Sequence, residues 1–179
     1  MSQKVLLNSK EVNITLHRLA CQLIENHDDF SNTVLIGIQP RGKFLADRLA
    51  QLLSQEYNIK NIQLGHLDIT FFRDDFRRGE KPLEANTTEI NFIVENKDVV
   101  FIDDVLYTGR SIRSALTAIQ SFGRPNNIEL LTLIDRRFSR HLPIQPNYRG
   151  RQVDAIDLQK VKVNWVENEG EDTVYLIDK

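Results

Sequence analysis

Residues 99–119 read VVFIDDVLYTGRSIRSALTAI. Four apolar residues, Val99 to Ile102, lead directly into two adjacent carboxylates, Asp103 and Asp104. A polar turn follows, Tyr107-Thr108-Gly109-Arg110-Ser111, and Ile112, Leu116 and Ile119 then recur at helical spacing. The pattern predicts a buried strand over 99–103, a glycine-containing turn and a helix. A single carboxylate after a strand can simply cap the next helix. Two adjacent acids followed by Thr-Gly-Arg-Ser point to a ligand instead. In open α/β sheets, ligands lie beyond the carboxyl ends of the strands. There a carboxylate can accept hydrogen bonds from both hydroxyls of a vicinal diol. Gly109 permits a left-handed backbone and a close approach. Thr108 and Ser111 supply hydroxyls, and the N–H groups that open the helix face an anion with the favourable end of its dipole. Acids toward a sugar and donors toward a phosphate suit a ribose 5-phosphate.

The rest of the chain places this stretch in an alternating pattern. Asn8 and Glu11 have capping-box spacing. Val12, Leu16, Leu19, Ala20, Leu23 and Ile24 then predict an amphipathic helix over 9–26. VLIGI (34–38) reads as a buried strand. Leu45, Leu49, Leu52 and Leu53 give a second helical face, and IQLGHLDITFF (62–72) is strand-like. Residues 73–89 are polar and contain Gly79 and Pro82, which predicts a long loop. ELLTLID (129–135), KVKVNWV (160–166) and TVYLI (173–177) read as further strands. Strands alternating with helices imply right-handed crossovers and a mostly parallel sheet, within a single domain over 1–179.

Composition excludes several classes. Of the 179 residues, 41% are hydrophobic and 27% charged, which supports a packed core rather than disorder. No run of 18 apolar residues is present, so no membrane span is expected. The N-terminal MSQKVLLNSKEV has no secretory h-region, and the lone cysteine, Cys21, suits a reducing compartment, so a cytoplasmic location is expected. The four histidines show no metal-ligand spacing. A net charge of −2 gives no global sign of nucleic-acid binding.

GIQPRGKF (37–44) nearly fits the phosphate loop of nucleotide hydrolases. Phe44, however, stands where that loop needs a magnesium-ligating hydroxyl, and Pro40 removes one of the N–H donors the loop exists to supply.

With these residues in view, VVFIDDVLYTGRS resembles the phosphoribosyl-diphosphate (PRPP) signature of type I phosphoribosyltransferases. DDVLYTGR in particular is similar to the PyrR family, pyrimidine-operon regulators that are also uracil phosphoribosyltransferases. VLIGIQPRG, LDITFFRDD, the signature, GRP, LIDR and LPI follow in the family's order. The resemblance implies an α/β fold with a mostly parallel central sheet, flanking helices, a small hood over about 135–160 and a lid over about 73–89. It implies transfer of a phosphoribosyl group from PRPP to uracil, or to another nucleobase such as a purine, giving UMP in the uracil case, with Mg2+ as cofactor. A homo-oligomer, dimeric or higher, is implied as well.

The resemblance also assigns residues. Pro40, Arg41 and Gly42 would bind the diphosphate. Asp103 and Asp104 would face the ribose hydroxyls, and Val105, Leu106, Tyr107, Thr108, Gly109, Arg110 and Ser111 would complete the PRPP site. Arg73 and Arg77 of the lid would join Asp103 and Asp104 in catalysis. Asp135 and Arg136 would begin the hood over the base. The protein alone would hold no metal; magnesium would arrive with PRPP, touching Asp103, Asp104 or Asp135.

Three departures bear on what the site accepts. The family's Asp-Arg-Gly-His-Arg-Glu-Leu-Pro stretch is here DRRFSRHLP (135–143), with Arg137 for the glycine and one residue inserted. VDAI (153–156) replaces Ile-Pro-Thr-Ser, so the choice of base stays open. The first helix carries His17, Arg18 and Cys21 where the family presents its RNA-facing Thr-Arg and His. Against this, Arg136, Arg137, Arg140, Arg149 and Arg151 form an acid-free run between Asp135 and Asp154. Arg18, Arg137, Arg140 and Arg151 are the candidate RNA contacts. The expectation is nonetheless an enzyme without specific RNA binding, or, in the opposing reading, a regulator with little catalysis.

Overall fold

The computed structural model describes residues 3–74, 85–156 and 158–178. Five parallel strands form the central sheet in the order β3-β2-β4-β5-β6. They are β2 (Thr33–Ile38), β3 (Gln63–Leu67), β4 (Asp98–Leu106), β5 (Asn127–Arg136) and β6 (Tyr148–Val153). Every residue of β2 is buried, which is why it is apolar without alternation: helices cover both of its faces. Helices α1 (Ser9–His27) and α2 (Gly42–Gln55) pack on one face, with Leu19, Leu23, Leu45 and Leu49 against Leu35, Val100 and Ile102. Helix α3 (Arg110–Ile119) covers the other, with Ile112, Ala115 and Ile119 against Ile36, Val99 and Phe101.

The capping box forms as expected. The Asn8 N–H donates to Glu11 Oε2 at 2.8 Å, and the Glu11 N–H donates to Asn8 Oδ1 at 3.0 Å. The strand expected over 62–72 is shorter. It ends at Leu67 because Asp68 Oδ1 accepts from the Thr70 N–H at 3.2 Å and the Thr70 hydroxyl at 2.6 Å. That local bond turns the chain into a 3-10 segment, Thr70–Phe72. The strand expected over 99–103 is longer: Asp103 pairs with Thr132 and Val105 with Ile134, so β4 carries both acids within it.

A second, antiparallel sheet has the order β1-β8-β7, from β1 (Gln3–Leu7), β7 (Gln159–Asn164) and β8 (Thr173–Asp178). It therefore draws on both ends of the chain. Tyr148–Val153, which lies in the range expected for the hood, is instead an edge strand of the central sheet beside β5. A short helix, α4 (Val166–Glu169), connects β7 toward β8. Two arginines tie this sheet to the α2 region. Arg48 donates to Glu167 and Asp172 and lies 4.8 Å from the ring centroid of the fully buried Trp165. Arg41 donates to the Val163 carbonyl and to Glu169.

The entry to α2 is tight. A Cβ on Gly42 would clash with the Ile102 carbonyl oxygen and lie 3.0 Å from the Asp103 Cα. The helix can start this close to β4 only without a side chain there. Gly42→Ala is expected to cost about 1–3 kcal/mol, the usual penalty for overpacking. A lower denaturant midpoint with unchanged slope would report it; an unchanged midpoint would mean that the α2 entry yields freely.

Candidate functional site

Successive side chains in a strand point to opposite faces. Asp103 therefore shares the face of Val99 and Phe101, toward α3, and Asp104 shares the face of Val100 and Ile102, toward α2. The two acids, expected side by side on one ligand, have different surroundings. Asp103 Oδ1 accepts the Asp104 N–H at 2.9 Å, and its carboxylate lines a cavity of about 210 Å³. Asp104 is 7% exposed and accepts from Arg41 Nε at 3.0 Å.

The cavity gathers most of the signature. Val105, Leu106, Tyr107, Thr108, Gly109, Arg110 and Ser111 line it together with Asp103. Gly109 has φ 90°, a left-handed conformation that a side chain would strain. Thr108 Oγ1 accepts the Arg110 N–H at 3.4 Å. The next N–H groups, of Ser111 and Ile112, belong to the first turn of α3 and have no acceptor within the helix. An anion in this cavity would meet those donors, two hydroxyls and the positive end of α3.

Arg73 and Asp74 also line the cavity, at the start of the expected lid. Arg77 and the remainder of that segment, 75–84, lie outside the described residues. Asp74 was not among the expected site residues. Its carboxylate accepts from Arg110 Nε at 2.9 and 3.1 Å and also pairs with Arg113. The Arg110 hydrogen bond, with help from Arg113, holds Asp74 down at a pKa of about 2. Arg113 follows Arg110 by one helical turn, a spacing that could have flagged it in the sequence.

Pro40 and Arg41 stand between β2 and α2, Gly42 opens α2, and the Gln39–Pro40 peptide bond is cis. The Arg41 guanidinium serves three acceptors of its own chain: Asp104, the Val163 carbonyl and Glu169 Oε1, the last at 3.1 Å. The loop therefore offers backbone N–H groups at the α2 entry, while its arginine joins β4 to the second sheet.

Asp135 and Arg136 end β5 beside a second cavity of about 670 Å³. Asp135 is 4% exposed and pairs with Arg140, which also donates to the Tyr107 carbonyl. Arg149 approaches the other Asp135 oxygen at 3.7 Å. The Arg136 guanidinium lies 3.9 Å from the Tyr107 ring centroid. His141 donates its N–H to the Thr108 carbonyl at 3.0 Å. The segment after Asp135 is thus fastened to the Tyr107–Ser111 turn. The other arginines expected as RNA contacts also have acceptors in this chain. Arg18 donates to the Arg149 carbonyl at 3.2 Å and to the Gly150 carbonyl; Arg137 donates twice to Asp154, each at 2.6 Å; Arg151 donates to the Leu6 carbonyl.

Charge is costly at the acid pair. Burial, and then the charge of Asp104, pushes Asp103 well above the ordinary carboxylate range. Burial raises Asp104 too, opposed by Arg41. Among the described residues, no three acidic, imidazole or thiol groups come together to hold a metal ion.

The family model for the phosphoribosyl transferase domain matches residues 2–168. The "Bifunctional protein PyrR" of Desulfosudis oleivorans is 41% identical over 169 residues, covering 94% of this chain and 92% of its own. The protein of that name from Synechocystis is 42% identical over 172 residues, covering 96% and 95%. Among solved structures, a hypoxanthine phosphoribosyltransferase of Trypanosoma cruzi superposes with a TM-score of 0.73 at 14% identity, over 98% of this chain and 96% of that one. One from Staphylococcus aureus gives 0.70 at 22% identity, over 98% and 92%. At these identities the structural likeness speaks for the fold alone.

Asp103 supplies a test of the site's electrostatics. An acid whose folded pKa is raised binds its proton more tightly folded than unfolded. Its stability contribution therefore declines as pH rises from the ordinary carboxylate range through the raised folded value. Asp103→Asn removes that decline. The variant is expected to melt higher than wild type near neutral pH, at roughly 2–4 °C per kcal/mol recovered, and to match it more closely near pH 4. Parallel melting curves across this range would mean that Asp103 carries no burial penalty.

Proposed function

The chain belongs to the PyrR family of phosphoribosyltransferases, and from that premise we propose that it transfers the ribose 5-phosphate group of PRPP to uracil, forming UMP and diphosphate. One observation carries the reading: Asp103 opens onto the same cavity as the Thr108–Ser111 turn, so a sugar acceptor and a phosphate cradle adjoin. The turn binds the 5-phosphate through the α3 amides and the Thr108 and Ser111 hydroxyls. Asp103 accepts from the ribose hydroxyls. Asp104 acts one step removed, by holding Arg41 and with it the diphosphate loop. Gripping the sugar at both ends fixes the anomeric carbon for attack.

Departure of diphosphate gives the anomeric carbon oxocarbenium character. Arg73, with Arg77, is assigned to the departing charge. Magnesium fits this donor set. Arg41 occupies Asp104, and Arg140 with Arg149 occupies Asp135, which leaves Asp103 as the carboxylate for an ion otherwise bound by substrate and water oxygens. When bound, it offsets charge on the diphosphate as a Lewis acid. Uracil, the base in the family's second activity, occupies the larger cavity beside Asp135 and Arg136. RNA is left out of the proposal because the first helix carries His17, Arg18 and Cys21 in place of the family's RNA-facing residues and the chain is slightly acidic; Arg18, Arg137, Arg140 and Arg151 each serve an acceptor in this chain but keep further N–H donors.

Initial rates with PRPP, magnesium and one base at a time test the reading. Uracil is expected to release diphosphate and yield UMP. Asp103→Asn should raise the KM for PRPP about tenfold or more, since a hydrogen bond to a charged group contributes roughly 1.5–3 kcal/mol. Turnover with hypoxanthine but not uracil would overturn the choice of base. No turnover with any base, alongside a submicromolar sequence-selective complex with leader RNA, would favour a regulator.

A further inference from the structure

The larger cavity contains a feature that phosphoribosyl transfer as described leaves unused. Phe138 lines it. Its backbone has φ 69°, the left-handed region that bulky residues rarely adopt. At 78%, its side chain is the most exposed of the large apolar residues described. Both conditions are unfavourable, and the surrounding chain imposes them. Arg136 and Ser139, on either side, are 4% and 8% exposed, so the segment is anchored at both ends while Phe138 is turned outward. Strain of this kind persists where neighbouring structure over-determines it, and it gathers at ligand sites.

The ring is also backed. The Arg137 guanidinium lies 5.0 Å from its centroid and is itself held by two hydrogen bonds to Asp154. With a cation fixed over one face, the ring has its other face to offer. The same segment is fastened to the phosphate turn through Arg140 and His141, so the ring stands at a set place relative to a bound ribose 5-phosphate.

We propose that Phe138 is the stacking platform for the nucleobase, a contact this chain acquires in the segment where it departs from the family pattern. The proposal rests on the phosphoribosyltransferase reading. It assigns base affinity to a ring face and leaves base choice to the polar lining, Arg149 and Gln152, because every nucleobase offers a π-face.

Calorimetric titration with ribose 5-phosphate and with UMP separates the two ideas, since the ligands differ by the base. Phe138→Ala removes only exposed atoms and should fold; Phe138→Tyr retains a ring. In wild type, UMP is expected to bind more tightly than ribose 5-phosphate. Phe138→Ala should weaken UMP roughly tenfold, the order of one base–aromatic stack, leave ribose 5-phosphate within about twofold, and be rescued by Phe138→Tyr. Equal weakening of both ligands, or no weakening of UMP, overturns the stacking role while the transferase reading stands. Failure of wild type to bind either ligand overturns both.

Discussion

The contact between Arg41 and Asp104 fixes the relation of every other part of the site. Arg41 comes from the loop between β2 and α2, Asp104 from the carboxyl end of β4, and the remaining acceptors, Val163 and Glu169, from β7 and α4. One guanidinium thus joins the loop, the acid strand and the second sheet. A fork of donors with fixed geometry can do this; a lysine's point charge could not hold three acceptors in place. Removing one partner of a buried pair costs about 3–5 kcal/mol because it strands a charge away from water. The cost here is smaller, as the Arg41 side chain is 33% exposed.

This contact also explains how two adjacent acids can share a strand. Pleating sends their side chains to opposite faces, and among the described residues Asp104 is the one paired directly with a cation, Arg41. Asp104 is neutralised there and becomes part of the frame. Asp103 is left with an amide hydrogen bond, a cavity and a raised pKa. Its ionised form is disfavoured. The fold gives up stability at both acids, and Arg41 offsets part of that cost at Asp104, a distribution expected of a site built to bind rather than of a strand end built to last.

Much of the fold was legible because it is written locally. Short apolar runs bounded by turn residues, such as 34–38, read as central strands, the Asn8–Glu11 box starts α1, and Gly109 marks a left-handed turn. That Thr108, Gly109, Arg110 and Ser111 would line one cavity was legible for the same reason, since they are consecutive. What escaped depends on distant pairs. Nothing near Asp104 announces Arg41, 63 positions away, and nothing near Arg110 announces Asp74. Gln3–Leu7 gave no alternating pattern strong enough to mark β1, because its partner is the last strand of the chain. Asp68 ended β3 early through two hydrogen bonds from Thr70 to its side chain, which periodicity does not record. The arginines of 136–151 looked like a free basic surface; their carboxylate and carbonyl acceptors are visible only once the chain is folded.

A double-mutant cycle on Arg41 and Asp104, using Arg41→Gln and Asp104→Asn, measures the organising contact most directly. Unfolding free energy and PRPP affinity are read for both single variants and the pair. The double variant should lose less than the sum of the singles in both quantities, by roughly 0.5–3 kcal/mol in stability, as for residues in direct contact. Additive losses in stability and in PRPP affinity would mean that the two side chains act independently, and that the contact between loop, acid strand and second sheet does not organise the site.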